Sequence, residues 1–153
     1  MSKTPIHLAG LSEREAITDA LNRTLLAYDL NDVALLESAL TRDIVFEING
    51  QVTEGIEAIK TGNFAFVGPM NTGHVLGNVR IDHQEGAKTA SVGACALANH
   101  FRPGTGLDKD APYFMAFSLY DADAVKQSDG LWKIKRWKLS ILWSTGDPSV
   151  LGL

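Results

Sequence analysis

The chain has 153 residues, 45% of them hydrophobic and 21% charged, with a formal net charge of −4. This is ordinary globular composition, enough to bury a core, and it excludes a disordered or fibrous chain. There is no Lys/Arg-rich run to attract nucleic acid and no apolar stretch of membrane-spanning length.

Ser12-Glu13-Arg14-Glu15 has the spacing of a capping box, with Ser12 as N-cap and Glu15 reaching back. From there Ile17, Ala20, Leu21, Thr24, Leu25 and Tyr28 recur at intervals of three and four, the apolar stripe of an amphipathic helix. Asn31-Asp32 ends it, and Val33, Leu36 and Leu40 mark a short second helix. Ile44 to Ile48 reads as a strand, Asn49-Gly50 as a tight hairpin turn, and Val52-Thr53 as the return strand. Gly55 to about Phe66 reads as a third short helix, closed by Gly68-Pro69.

The remainder is β. Strands are expected over His74 to Asp82, Lys88 to Phe101, Tyr113 to Lys126 and Leu131 to Trp143, joined by turns and one longer loop. In the last strand Trp132 and Ile134 share one parity, whereas Trp137, Leu139 and Ile141 share the other. A bulge near Arg136 accounts for the change and would bend the sheet. The expected class is therefore α+β, a single domain over residues 1–153 with helices on one side of a bent antiparallel meander enclosing a pocket. The single Cys95 can form no internal disulfide, and the polar Met1 to Pro5 segment lacks the apolar core of a signal peptide. Both favour a cytoplasmic location.

Two residues stand out as carriers of chemistry. Asp29 lies beside Leu25 on the helical wheel, so its side chain can enter the interior, although an acid at a helix C-terminus opposes the macrodipole. His74 opens the first long strand. His100 shares parity with Val92, Ala94, Ala96 and Ala98, so one face carries a row of small side chains ending in an imidazole. Such a row leaves room for a ligand or lets a helix pack closely. Tyr28 falls on the core stripe, where periodicity makes it a core aromatic. His7 and His83 are expected at the surface, Cys95 has no base partner, and no close-spaced ligand pair supports a metal site at Asp29, His74 and His100.

The order of these features, with Tyr28-Asp29 ending the first helix, then Asp43-Ile44-Val45-Phe46, His74, and Asp129-Gly130-Leu131-Trp132-Lys133-Ile134, resembles the SnoaL-like branch of the nuclear transport factor 2 superfamily. The resemblance runs from about Ser12 to Pro148. It implies a cone-shaped α+β barrel with N-terminal helices packed on a strongly curved, mostly antiparallel sheet. Its scytalone dehydratase-like members imply catalytic roles for Tyr28, Asp29, His74 and His100, and the hexachlorocyclohexane dehydrochlorinase-like members imply the Asp29–His74 pair. The implied reaction is an elimination with no metal and no organic cofactor. A count places Ile48 where the dehydratases carry a second tyrosine, and Ser118, Tyr120 and Asp121 near their penultimate-strand polar groups.

His74 is thus expected to act as general base, oriented by Asp29, with Tyr28 and His100 as polarising or acid groups. The expected substrate-binding residues are Phe46, Ile48, Phe64, Phe66, Met115, Phe117, Ser118, Tyr120 and Trp143. They suit a small hydrophobic substrate, aromatic or terpenoid-like. The readings carried forward are a lyase of dehydratase type, an isomerase or polyketide cyclase of the same fold, and a non-catalytic small-molecule-binding module. A homodimer or homotrimer is expected, because open sheets of this kind bury one face against another subunit.

Overall fold

A computed structural model describes residues 1–153. The first helix, α1, spans Glu13–Leu30 and begins at the expected capping box. The Ser12 side chain accepts from the Glu15 amide, and the Glu15 carboxylate accepts from the Ser12 amide. It stops because Asn31 adopts a left-handed conformation (φ 50°, ψ 57°), an arrangement that Asn tolerates. Asp32 then caps α2, Val33–Ala39, through the Leu35 amide. Lys3 Nζ donates to the Leu30 carbonyl, so a cation arriving from the N-terminal segment meets the negative end of α1, which has no basic residue in its last turn.

The strands are β1 (Leu40–Ile48), β2 (Gln51–Glu54), β3 (Asn71–Asp82), β4 (Thr89–Phe101), β5 (Tyr113–Lys126) and β6 (Trp132–Gly146). They form one sheet in the order β2-β1-β6-β5-β4-β3. Asn49 and Gly50 both take positive φ, as the hairpin turn between β1 and β2 requires. The β3 to β6 meander is antiparallel, as expected, but β1 pairs with β6 in parallel, so the sheet is mixed. The segment expected as one helix from Gly55 is two, α3 (Ile56–Thr61) and α4 (Asn63–Val67), because the chain turns sharply at Gly62. β1 starts four residues before Ile44, directly at the end of α2.

Three one-residue bulges bend the antiparallel meander, and the β1–β6 pairing also shifts register between Leu40 and Val45. The expected bulge lies at Lys135–Arg136, where Ala124 pairs with Ile134 and Asp123 pairs with Arg136. A second in β6 leaves Leu142 unpaired between Ile141 and Trp143, and a third in β3 puts Asn78 at positive φ. Each one-residue slip exchanges the two faces, so the bulges decide which side chains enter the molecule.

The core joins α1 to the inner face of the sheet, with Ile17, Leu21, Leu35, Ile44, Trp132 and Ile134 almost fully buried. Arg23 is buried with them. Its Nε pairs with Asp19 at 2.8 Å, Nη2 donates to the Trp132 carbonyl at 2.7 Å, and Nη1 donates to the Ser38 carbonyl and hydroxyl. Periodicity gives no sign of this cation, which ties α1 to α2 and β6. His83, expected in solvent, is half-buried. Its Nε2 lies 2.9 Å from the Ala87 carbonyl and its ring meets Trp132 edge-on. No helix is long and apolar enough to cross a membrane.

Replacing Arg23 by Met leaves two buried carbonyls and Asp19 without a partner, and is expected to lower unfolding stability by about 3 kcal/mol in urea titration.

Candidate active site

The last turn of α1 lies against the start of β3, and there the two leading candidate residues meet. Asp29 Oδ1 is 2.6 Å from His74 Nδ1, and Asp29 Oδ2 accepts the His74 backbone amide at 3.0 Å. The Thr72 hydroxyl donates to Oδ1 at 2.7 Å. Three contacts from one strand therefore hold a carboxylate that arrives from a helix. Burial pushes the Asp29 carboxyl up, but the hydrogen bond and charge of His74, the His74 amide and Thr72 together hold it below the usual carboxylate range. The carboxylate thus fixes the His74 proton on Nδ1 and leaves the Nε2 lone pair free.

His100 sits on the neighbouring strand β4 opposite Thr72, diagonal to His74, and the two rings meet edge-on at 5.5 Å. Its Nδ1 lies 3.2 Å from the Phe114 carbonyl, so Nδ1 carries the proton of the neutral ring. Burial pushes the His100 imidazole below its ordinary value, and the neighbouring His74 charge adds to this against the opposing effects of Phe114 and Asp29. Tyr28 is buried against Phe64 at 5.0 Å and donates its hydroxyl proton to Asn63 Oδ1 at 2.7 Å. Burial raises its pKa far above working pH, with Tyr120 adding to the rise.

Tyr28, His74 and His100 stand on the wall of a cavity of about 410 Å³, bounded by the inner sheet face, α4 and the C-terminal residues Leu151 and Leu153. Asp29 is not part of that wall and reaches the cavity only through His74. Of the expected binding residues, Phe46, Ile48, Ser118 and Tyr120 line it from the sheet, and Phe66 lines it from α4. Phe64 does not. It lies behind Tyr28, as part of the core.

Met115, Phe117 and Trp143 face the other way, a correction to the expected pocket. Phe114, Ala116, Ser118 and Tyr120 point inward, so their neighbours Met115 and Phe117 must point outward. Trp143 pairs with Phe117 beyond the Leu142 bulge and stacks on it outside, at 5.6 Å. Sequence reasoning passed over Thr72 and Asn63, which hold Asp29 and Tyr28, and also Trp137 and Leu139 of the wall. The adjacency of Thr72 to His74 was the one available signal. The small-residue row divides: Ala94 and Ala96 pack in the core, while Ala98 opens onto the cavity. Asp29, His74 and His100 belong to no cluster of three or more metal-ligating side chains.

The profile of the SnoaL-like domain matches residues 9–138. The chain belongs to the SnoaL-like family. Consistent with that membership, it is 43% identical over 150 residues to terrestric acid biosynthesis cluster protein E of Penicillium crustosum, covering 97% of this chain and 96% of that protein. A scytalone dehydratase candidate from Novosphingobium aromaticivorans superimposes with a TM-score of 0.74 at 24% identity, over 88% of this chain and 87% of that one. A type 2 hexachlorocyclohexane dehydrochlorinase, LinA, superimposes with a TM-score of 0.70 at 21% identity, over 88% of each chain. At these identities the two structures establish the fold, the α+β cone expected from the SnoaL-like resemblance.

Both lowered groups predict the same sign of pH dependence. A group whose folded pKa lies below its unfolded value stabilises the fold above the unfolded value and ceases to do so as pH falls through the folded one. Melting temperature should therefore drop on acidification, first below about pH 6.5 for His100 and then below about pH 4 for Asp29. In thermal melts His100→Gln should flatten the upper part of the profile. The deficit of Asp29→Asn should close at the acid end.

Proposed function

We propose that the chain is a cofactor-independent enzyme that removes a carbon-bound proton from a small hydrophobic substrate, with loss of water as the outcome. The observation that carries this reading is the 2.6 Å contact between Asp29 Oδ1 and His74 Nδ1 at the wall of a mostly apolar cavity. A carboxylate on Nδ1 holds the ring in the tautomer and orientation that turn the Nε2 lone pair to the cavity. A small-molecule-binding module has no use for a partly buried charge held by three hydrogen bonds beneath its pocket wall. Membership of a family that includes dehydratases, isomerases and cyclases supports an enzyme, and the relative named for a biosynthesis cluster supports a secondary-metabolite substrate.

In the proposed reaction His74 takes the proton and passes it to the departing hydroxyl. His100, neutral with a free Nε2, holds that hydroxyl or a water beside it, and Tyr28 offers its phenol oxygen as an acceptor because its proton is engaged by Asn63. An isomerase or cyclase would use the same first step and return the proton to carbon.

A panel of β-hydroxy carbonyl compounds in deuterated water, followed by mass spectrometry and NMR, distinguishes these outcomes. Loss of water supports the dehydratase, and deuterium incorporation without loss of water supports the isomerase. His74→Ala and Asp29→Asn are each expected to reduce the rate by about 10²–10⁴-fold. Survival of the rate within a few-fold in either variant would remove the dyad mechanism.

Self-association is proposed at the outer sheet face. There Val75, Leu97, Phe117 and Trp143 pair in register across four strands as an apolar row. Both charge signs flank it in the Arg136–Asp121 and Lys138–Glu47 pairs, so the face is complementary to a second copy of itself. Sedimentation should give a dimer or trimer, and Trp143→Lys should give the monomer.

A further inference from the structure

Two imidazoles face the cavity from β3 and β4, and a carboxamide faces it from the helical side. Asn63 is the first residue of α4, immediately after the turn at Gly62. That turn has no room for a side chain, because a Cβ at Gly62 would lie 2.9 Å from the Ala58 carbonyl. It delivers Asn63 to Tyr28, whose hydroxyl donates to Asn63 Oδ1 at 2.7 Å. Tyr28 is 3% exposed and belongs to the wall, so the carboxamide that meets its hydroxyl lies at the cavity. Burial keeps the phenol protonated at working pH, so its hold on the amide persists.

A carboxamide has an acceptor end and a donor end. With Oδ1 turned to Tyr28, Nδ2 is turned away from it. That nitrogen has no hydrogen bond within the protein and is not sealed off by its neighbours, so its protons are open to a cavity occupant. Asn49 and Gln51 also line the cavity, but both are exposed on the β1–β2 hairpin. Asn63 differs in its closeness to the base of the proposed reaction. Only the Tyr28 ring separates them, its centroid 6.2 Å from that of His74 and its hydroxyl on Asn63. Such spacing suits a carbonyl group next to the carbon that loses its proton. No Lys or Arg lines the cavity to receive a ligand that arrives charged.

We propose that Asn63 Nδ2 binds the carbonyl oxygen of the substrate, and that the substrate is an uncharged carbonyl compound. The proposal rests on the reading of His74 as base. As His74 Nε2 takes the α-proton, the C–H electron pair becomes the C=C bond and the carbonyl π pair moves to oxygen. There the Asn63 N–H meets the growing charge, already oriented and with no need to turn. Return of that pair re-forms the carbonyl and breaks the β-C–O bond. The departing hydroxide takes the proton from the His74 imidazolium and leaves as water.

The test uses acetophenone isotopically labelled at its carbonyl carbon, an aromatic ketone with no leaving group, titrated into the protein and followed by NMR. Hydrogen bonding moves a carbonyl carbon downfield, so the signal of the bound ketone should stay at or downfield of its position in water. Asn63→Asp keeps an oxygen for Tyr28 and replaces the donor by an acceptor. It should weaken binding by about tenfold and move the bound signal upfield, toward its position in an apolar solvent. The double variant Asn63→Leu with Tyr28→Phe removes both partners together and leaves no polar orphan to threaten the fold. It should show the same upfield signal. Tyr28→Phe alone leaves the donor in place and should leave the signal downfield; an upfield signal there assigns the donor to the phenol and overturns the proposal. Binding by Asn63→Asp within about twofold of the parent with the signal unmoved overturns it too, as does failure of the parent to bind the ketone. His74→Ala should bind the ketone as the parent does, and its rate on the β-hydroxy carbonyl panel reads the base mechanism separately.

Discussion

The structure is organised around one electrostatic tie, a carboxylate from the end of α1 held by the first residues of β3. Asp29 and His74 are 45 positions apart, and the contact between them closes the helical layer onto the sheet at the place where a cavity begins. An acid in the last turn of a helix works against the macrodipole. Here the surroundings offset that cost twice over. The His74 amide and ring and the Thr72 hydroxyl meet the carboxylate, and Lys3 meets the helix end beside it. A side chain that is poorly placed for its own helix is well placed for another element. That mismatch between local and tertiary preference is what a functional residue produces.

Around this tie the cavity is polar only where it must be. Its walls are mainly aliphatic and aromatic, interrupted by the two imidazoles, the Tyr28, Ser118 and Tyr120 hydroxyls and the side-chain amides of Asn49, Gln51 and Asn63. His74, His100, Ser118 and Tyr120 stand on three strands of the same inner face, so the distances between them are set by sheet geometry and are insensitive to loop motion.

The bulges matter as much as the hydrogen bonds. Without the slip at Lys135–Arg136, Trp137 and Leu139 would point outward, and the cavity would lose the wall that carries Phe46 and Tyr120 as neighbours. Without the slip at Leu142, Trp143 would turn inward opposite Ala116. The stack of Trp143 on Phe117 outside the sheet is the result of that second bulge. Two aromatic residues that look like pocket lining by composition are instead part of an exposed apolar row.

Much of the architecture was legible in the chain itself. The Ser12–Glu15 capping box, the 3.6-residue stripe of α1, the Asn49-Gly50 turn and the parity change around Arg136 are local signals, set by neighbours within a few residues. The structure contains each of them. The Asp29–His74 pairing was inferred from stripe-edge position and resemblance, and the distance between the two became known only from the fold. What the sequence could not determine was which face of each long strand turns inward. Both faces of β5 carry apolar groups, so alternation alone leaves Met115 and Phe117 indistinguishable from Phe114 and Ala116. The choice falls to the cross-strand register and the unsignalled bulges. The same holds for Arg23, whose partners lie on α2 and β6, and for the Tyr28 proton, which Asn63 on α4 accepts. Local periodicity specifies elements, because it acts over a few residues. Donor and acceptor pairing across the cavity arises only when elements distant in the chain are packed together.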